Sequence, residues 1–218
     1  MASLRMRSGR SEPLVRIFIL LVAAAIVASC SSNPEVPDDA AAIKELETFR
    51  ADRNKQYRED PASPIPADKK DVLLPLRYYA PDPSYAVPAV LDVFPGERQK
   101  LEVPTSTGVP RREELVGRLS FTLKGQKLTL NAFVEEGTQT IDELFVPFRD
   151  LTAGTETYPA GRYLNLKPTV TGIYTIDFNM AYNPYCAYNN AYECPLPPPE
   201  NRLKVAIEAG EKIPAGHS

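Results

Sequence analysis

Proline is the residue that most limits how this chain can fold. The sequence contains 22 prolines among 218 residues, and ten of them lie between Pro61 and Pro110. Because proline lacks a backbone N–H and clashes with the preceding turn of a helix, no long helix can form in this segment. Prolines in sheets occupy strand edges and strand starts. We therefore expect short strands joined by turns over residues 61–110.

Alternating hydrophobicity predicts strands in the rest of the chain. Apolar and polar residues alternate over 119–123 and again over 128–134, and the tetrapeptide Lys-Gly-Gln-Lys lies between them. This pattern is typical of a β-hairpin with one buried face. Further strands are predicted at 71–79, 86–93, 99–103, 144–148, 162–166, 172–178 and 202–207. We therefore predict a mainly β fold, an antiparallel β-sandwich or barrel-like domain with one N-terminal helix.

That helix is predicted over residues 40–59, which contain neither proline nor glycine. Asp38 or Asp39 is placed to cap its N-terminus, and Pro61 ends it. Its apolar stripe is narrow and consists of Ile43, Leu46, Phe49, Arg53 and Tyr57. Because such a stripe usually packs against the domain that carries it, docking on the β domain is the simpler interpretation. Presentation of the helix to a partner protein is the alternative.

The first thirty residues predict export and lipid attachment. Several arginines precede an uninterrupted apolar run over 17–28, which ends at Ser29 and Cys30. A bilayer-spanning helix needs about 20 residues, so this shorter run is typical of a signal peptide, here over residues 1–29. Residues 27–30, Val-Ala-Ser-Cys, resemble the bacterial lipobox, in which the cysteine is acylated, for instance with palmitate, and becomes the new N-terminus. The alternatives are an ordinary secretory signal with an incidental cysteine and an uncleaved short anchor.

Removal of the signal peptide leaves a tether at 30–39 and a single β-rich domain at 40–218. The removed segment carries four arginines and one glutamate, so the net charge falls from −3 to −6. An acidic domain without a basic block argues against nucleic acid as a partner. The predicted partners are the membrane, through lipid on Cys30, and an unknown small molecule, glycan or peptide. The two serines after Cys30 resemble the sorting signal of outer-membrane lipoproteins. We therefore predict a location in the cell envelope, at the outer membrane in a Gram-negative host.

The second half of the sequence resembles a known family. Six blocks carry the resemblance, at residues 148–152, 156–158, 161–164, 177–179, 181–184 and 194–203. On these blocks the chain is similar to domain-of-unknown-function family 1684, over about residues 45–212. The resemblance implies a compact β-rich domain found in bacteria, with some members being lipoproteins, and it implies no activity. Asn165 and Met180 stand where the family pattern usually has an Asp and an Arg, so neither is taken as a functional residue.

Polar and aromatic side chains concentrate in this half of the chain. Seven of the 11 tyrosines lie between Tyr158 and Tyr192. The candidate ligand-binding residues are Arg162, Asp177, Asn179, Asn183, Tyr185, Glu200, Asn201 and Arg202. Arginines and acids of this kind can hold a polar ligand, or they can pair with one another and lock the fold. Two interpretations are open for four tyrosines: they could form a sugar- or peptide-binding face, or they could belong to the core. These are Tyr182, Tyr185, Tyr188 and Tyr192.

The cysteine and histidine counts exclude several chemistries. The single histidine is His217, next to the C-terminus, where chains fray, so mechanisms that need a fixed imidazole are disfavoured. With Cys30 acylated, Cys186 and Cys194 remain, and a disulfide between them, two buried free thiols and a catalytic cysteine are all open. Two cysteines without a usable histidine cannot close a zinc site. The acids and amides over 177–200 also lack the spacing of a calcium-binding EF-hand, and we predict neither a metal nor a cofactor.

These patterns predict an exported lipoprotein that acts as a ligand-binding or envelope-associated module with no assigned activity. The alternative is a carboxylate-dependent hydrolase that acts on an envelope or extracellular substrate. Its candidate acids and bases are Asp150, Glu156, Asp177 and Glu200. Whether the chain is an enzyme stays open at this point.

Overall fold

In the part of the chain that the structure describes, residues 39–216, seven strands form one curled antiparallel sheet that resembles half of a barrel. In this computed structural model the strands are β1 (Ala86–Val93), β2 (Gln99–Val103), β3 (Arg111–Leu123), β4 (Gln126–Glu135), β5 (Leu144–Phe148), β6 (Arg162–Leu166) and β7 (Ile173–Asp177). Their order across the sheet is β6-β5-β4-β3-β1-β7, and β2 also pairs with β3. The predicted barrel-like, mainly β fold is confirmed.

Strand β3 changes partners along its length. It pairs with β4 on one side, and on the other side it pairs with β2 over 111–115 and with β1 over 117–121. A register shift lies between Leu115 and Gly117, where the partner changes. A Cβ on Gly117 would lie 2.4 Å from the carbonyl oxygen of Asp92 in β1, so only glycine fits at this crossing. The charged first residues of β3 consequently extend beyond β1 and run alongside the end of β4.

The main core lies on one face of this curled sheet. It takes apolar side chains from six strands and from the irregular chain that follows β7. Phe178, directly after β7, contacts Phe121 and Phe148, with ring centroids 5.8 and 5.3 Å apart. Leu203 and Ile207 are buried in the same cluster. The irregular C-terminal chain therefore covers the core where a β-sandwich would place a second sheet.

The helix α1 (Asp39–Glu59) confirms the predicted N-terminal helix. It docks through Leu46, Arg50 and Tyr57, which are buried, whereas Phe49 remains 37% exposed. The predicted apolar stripe is thus only part of the docking face, which also uses a charged side chain. Tyr57 belongs to a second, smaller apolar cluster with Ile65, Leu73, Leu74, Leu76 and Tyr188.

Two of the predicted strands are wrong. Residues 71–79 begin in the short helix α2 (Lys70–Leu73), because the leucines there are buried in the second cluster rather than along a strand. Residues 202–207 form a single bridge, between Arg149 and Arg202, instead of a strand. The described chain is completed by single turns of 3-10 helix at Ala67–Lys69, Pro83–Tyr85, Phe178–Met180, Tyr185–Ala187 and Pro199–Asn201.

The N-terminal predictions fall largely outside this structure. The signal peptide at 1–29, Cys30, the tether as far as Asp38, and His217 all lie outside the described residues. Within residues 39–216, none of the helices is both long enough and apolar enough to cross a bilayer.

Candidate functional site

Arg162, the first residue of β6, is buried in the interior with 1% exposure. Its guanidinium donates hydrogen bonds to three backbone carbonyls, those of Ile207, Ala209 and Glu211. It also forms an ion pair with Asp150, with an N–O distance of 3.3 Å. Burial lowers the pKa of Arg162 from its ordinary value, and the Asp150 carboxylate opposes that change. Arg162 therefore ties the C-terminal segment to the sheet from inside the protein.

A second buried charge, Glu211, joins α1 to the C-terminal segment. Its carboxylate is 1% exposed and forms an ion pair with Arg53 of α1 at 3.2 Å. It accepts hydrogen bonds from the backbone N–H of Asn183 at 2.8 Å and from the hydroxyls of Tyr188 and Tyr78 at 2.6 and 3.3 Å. Burial alone would lower the pKa of Arg53. The negative charge of Glu211 outweighs this effect, and the pKa of Arg53 is raised above its ordinary value. Asn183, a predicted ligand-binding residue, is thus held within this buried network.

Three further predicted residues hold irregular segments of the chain. Asp177 accepts hydrogen bonds from the backbone N–H and the side-chain amide of Asn179, at 2.9 and 2.8 Å. The Asn179 amide also exchanges two hydrogen bonds with the backbone of Asp82. The side-chain amide of Asn201 likewise exchanges two hydrogen bonds with the backbone of Asn131 in β4. Each of these three side chains is therefore engaged in hydrogen bonds within the fold.

The remaining predicted residues are accessible but lie apart. Glu200 and Arg202 are exposed and line a depression of about 520 Å³ together with Arg118 and the prolines at 197–199. Tyr185 is 44% exposed and lines a different cavity. The eight predicted residues are thus divided among the interior, this depression and the cavity at Tyr185.

The cavity at Tyr185 has a volume of about 500 Å³, within the range of small-molecule sites. It lies between the first residues of β3, the end of β4, β5 and the chain over 182–195. Its aromatic lining comprises Phe145, Tyr163, Tyr182, Tyr185 and Tyr192, and its charged lining comprises Arg111, Glu113, Glu135, Asp142, Glu143 and Glu193. We call this cavity the tyrosine cleft.

Glu113 is the most buried charged residue of the tyrosine cleft, with 2% exposure. It lies in β3 directly opposite Glu135 of β4. Arg111 bridges the two carboxylates, with N–O distances of 2.9 Å to Oε1 of Glu113 and 3.5 Å to Glu135. Within residues 39–216, the ion pair with Arg111 is the one polar contact of the Glu113 side chain, and neither of its carboxyl oxygens is a fully buried atom without a partner, so the carboxyl group is open to the cavity. Burial raises the pKa of Glu113 to about 7, Arg111 opposes the rise and Glu135 adds to it, so this carboxyl group changes charge near neutral pH.

Tyrosine rings form one wall of the cleft. Tyr185 and Tyr192 meet edge to face, with centroids 5.2 Å apart and an interplanar angle of 72°. Tyr182 is covered by the guanidinium of Arg53, which lies 4.9 Å from its ring centroid. Tyr188 is buried in the second cluster and belongs to the core. Tyr185 and Tyr192 therefore present the rings that a ligand could contact.

The two described cysteines, Cys186 and Cys194, are buried free thiols in this structure, and Cys194 also belongs to the lining of the tyrosine cleft. The backbone N–H of Cys186 donates a hydrogen bond to Sγ of Cys194 at 3.1 Å, and the hydroxyl of Tyr158 donates to Sγ of Cys186 at 3.7 Å. The hydrogen bond from the Cys194 thiol lowers the pKa of Cys186 to about 7, while burial opposes it. Burial of Cys186 to 4% exposure keeps this thiol away from a ligand in the cleft.

Residues 74–212 match the profile of a family described as "Protein of unknown function (DUF1684)". The chain belongs to this family. It is also similar to a protein of known structure, the uncharacterized protein from gene locus rrnAC0354 of Haloarcula marismortui, which was solved by solution NMR. The two chains share 37% identity with a TM-score of 0.64, and the match covers 80% of this chain and 96% of that chain. No functionally curated protein matches the sequence.

The DUF1684 match includes every lining residue of the tyrosine cleft, whereas α1 with Arg53 precedes it. Sequence patterns did not single out Arg111, Glu113 or Glu135, because the hairpin was predicted to begin only at residue 119. The available signal was the pair of acids at 113–114 in front of an alternating strand. Within the described chain, no group of three or more His, Cys, Asp or Glu side chains is placed to hold a metal ion.

Proposed function

We propose that this DUF1684 protein is a ligand-binding module that holds a small molecule in the tyrosine cleft. The observation that carries the proposal is the Glu113 carboxyl group, which belongs to a residue with 2% exposure, lines a cavity of about 500 Å³ and is paired only with Arg111 among the described residues. A cavity that combines apolar and aromatic lining with a carboxyl group of shifted pKa is the usual setting of a ligand site. Tyr185 and Tyr192 add amphipathic contact area at low cost in side-chain entropy.

The proposal includes a place for this module in the cell envelope. Its support is the sequence pattern of residues 1–30, in which arginines, a short apolar run and a small-residue segment lead to Cys30. Multiple acyl chains on one cysteine would hold the protein at a membrane essentially permanently, because each buried CH₂ contributes about 0.8 kcal/mol. The tether would then separate the cleft from the lipid surface.

A fluorescence and thermal-shift screen tests the cleft as a binding site. The purified protein, in a nonionic polyoxyethylene detergent, is titrated with a library of small anionic, neutral and cationic compounds. Because the chain has 11 tyrosines and no tryptophan, its emission comes from tyrosine, and a ligand that contacts Tyr185 and Tyr192 should change part of it. We expect at least one compound to change the emission and to raise Tm.

Two variants locate the response. Tyr185→Ala should abolish it, whereas Leu151→Ala, at a residue that is 65% exposed and outside the cleft lining, should retain it. A full response in Tyr185→Ala, or no response to any compound, would show that the cleft does not bind ligands.

A hydrolase is the second candidate function, and the pKa of Glu113 favours it. A carboxyl group with a pKa of about 7 can donate a proton at neutral pH, and Glu135 lies opposite as a second carboxylate. By contrast, Asp150 and Asp177 are engaged in hydrogen bonds within the fold, and Glu156 pairs with Lys212 at 3.0 Å. We expect any turnover of aryl glycosides or aryl esters to be lost in Glu113→Gln, and turnover that persists in this variant would rule out Glu113 as the acid.

A further inference from the structure

The lining of the tyrosine cleft is strongly negative. Its carboxylates come from Glu113, Glu135, Asp142, Glu143 and Glu193, and Arg111 is the one basic side chain among the described lining residues. Arg111 is already bound to Glu113 and Glu135. A low-dielectric cleft lined by one sign of charge concentrates ligands of the opposite sign. The cleft therefore favours cations over anions.

The ring arrangement favours the same charge. Tyr185 and Tyr192 meet at 72° and so form a corner in which a cation can contact one ring face while it lies near the other ring. Aromatic faces attract organic cations, most strongly where the contact is shielded from water. The protein already uses this interaction on the helix side, where Arg53 lies over Tyr57 and Tyr182 at 5.1 and 4.9 Å.

Glu113 adds a requirement for a hydrogen-bond donor. Its carboxyl group is paired with Arg111 alone among the described residues and is open to the cavity. An N–H group on a ligand would supply a further partner, and a charge-assisted hydrogen bond to a carboxylate is among the stronger kinds. A quaternary ammonium group has no N–H and could not do so.

We propose, on the basis of the proposed function, that the tyrosine cleft binds a small organic cation that carries an ammonium N–H group. The ammonium donates to Glu113, and the carbon body of the ligand contacts Tyr185 and Tyr192. The acids of the cleft belong to β3, β4, the chain before β5 and residue 193, so they surround the cavity rather than meet at one point. This distribution suits an extended organic cation.

Three probes of similar shape and different charge test the proposal. Benzylammonium, benzyl alcohol and benzoate are each titrated into the purified protein at pH 8 by isothermal titration calorimetry. We expect benzylammonium to bind at least about tenfold more tightly than benzyl alcohol, with a Kd of about 1 mM or lower, and benzoate not to bind. Benzyltrimethylammonium, which lacks the N–H, should bind more weakly than benzylammonium.

Two isosteric variants locate the effect. Glu113→Gln should weaken benzylammonium binding by about tenfold, which is the effect expected when a charged hydrogen-bond partner is lost. The matched control, Glu200→Gln, changes an exposed carboxylate in the separate depression and should alter the Kd less than about twofold. Added salt should weaken binding of benzylammonium but not of benzyl alcohol.

The possible results separate this proposal from the proposed function. If benzyl alcohol or benzoate binds as tightly as benzylammonium and Tyr185→Ala abolishes that binding, the cleft is a ligand site but not a cation site. If benzylammonium binds equally to wild type and to Glu113→Gln, the proposal is likewise wrong. If none of the probes binds and the compound screen also gives no response, both proposals fail together.

Discussion

Among single residues, Arg162 and Glu113 are buried to nearly the same degree but differ in the polar partners that the chain supplies. Arg162 has its two terminal nitrogens paired with carbonyl groups and with Asp150, so the chain itself supplies their partners. Glu113 has an ion pair with Arg111 through one oxygen, and its side chain lines the tyrosine cleft. The contacts of Arg162 hold the fold together, whereas the carboxyl group of Glu113 is the one that we propose to contact a ligand.

Affinity for a cation should depend on pH through Glu113. Its pKa of about 7 reflects burial and the facing charges of Arg111 and Glu135. Protonation removes the negative charge that the cation contacts, so binding should weaken as pH falls. We expect the apparent Kd for benzylammonium, which stays charged over this range, to rise about tenfold from pH 8 to pH 6. In Glu113→Gln the dependence should be nearly absent, and an equal dependence in that variant would assign it to another group.

The same substitution should affect stability in the opposite direction. The pKa of Glu113 is higher in the folded protein than its ordinary value, so ionisation above pH 7 disfavours the folded state, and this cost is absent at low pH. Thermal unfolding at pH 8 should therefore show a higher Tm for Glu113→Gln than for wild type, with a smaller gain at pH 5. A lower Tm at both pH values would mean that the ion pair with Arg111 is a net stabilising contact.

Among the elements, α1 is attached through charge as much as through apolar contact. Arg53 pairs with the buried carboxylate of Glu211, which also accepts hydrogen bonds from two tyrosines and from Asn183. Arg50 donates a hydrogen bond to the carbonyl of Tyr79 at 2.9 Å. The position of the helix therefore depends on Glu211, which is distant in the sequence, as well as on the nearer Tyr79.

Removal of Arg53 should destabilise the protein strongly. Arg53→Leu leaves Glu211 buried without its cation, and loss of one partner from a buried ion pair costs about 3–5 kcal/mol. The matched control on the same helix is Arg58→Leu, because the ion pair of Arg58 with Asp71 is exposed and contributes little. We expect denaturant unfolding to show the large loss only in Arg53→Leu, and similar unfolding curves for the two variants would contradict this role of Glu211.

Sequence patterns predicted the elements whose side chains alternate, since one buried face imposes a period of two residues. They therefore located the β3–β4 hairpin, but not the course of residues 202–207, whose backbone is fixed in part by the distant Arg162. Cys186 and Cys194, a possible disulfide from their spacing, are free thiols joined by a hydrogen bond from the backbone N–H of Cys186 to Sγ of Cys194. Glu113 could not be assigned to a cleft from sequence, because its environment depends on the pairing of β3 with β4 and on residues 182–195.

At the scale of the whole molecule, the proposed arrangement is a β-rich domain with one acidic cleft, held to a membrane by a short tether. Because the lipobox resemblance centres on Cys30, Cys30→Ser should remove the acylation site and shift the protein from the membrane fraction to the soluble fraction. Cys186→Ser, a cysteine inside the domain, is the matched control and should remain with membranes. A Cys30→Ser variant that still sediments with membranes would exclude lipid anchorage at this residue.

Chemical-shift mapping by NMR tests the central proposal most directly. The isotope-labelled protein in nonionic detergent is titrated with benzylammonium, and the shift changes are assigned to residues. We expect the largest changes at Glu113, Tyr185 and Tyr192, with Arg118 and Arg202 in the other depression unaffected. Largest changes at Arg118 and Arg202, or no changes at any residue, would contradict ligand binding in the tyrosine cleft.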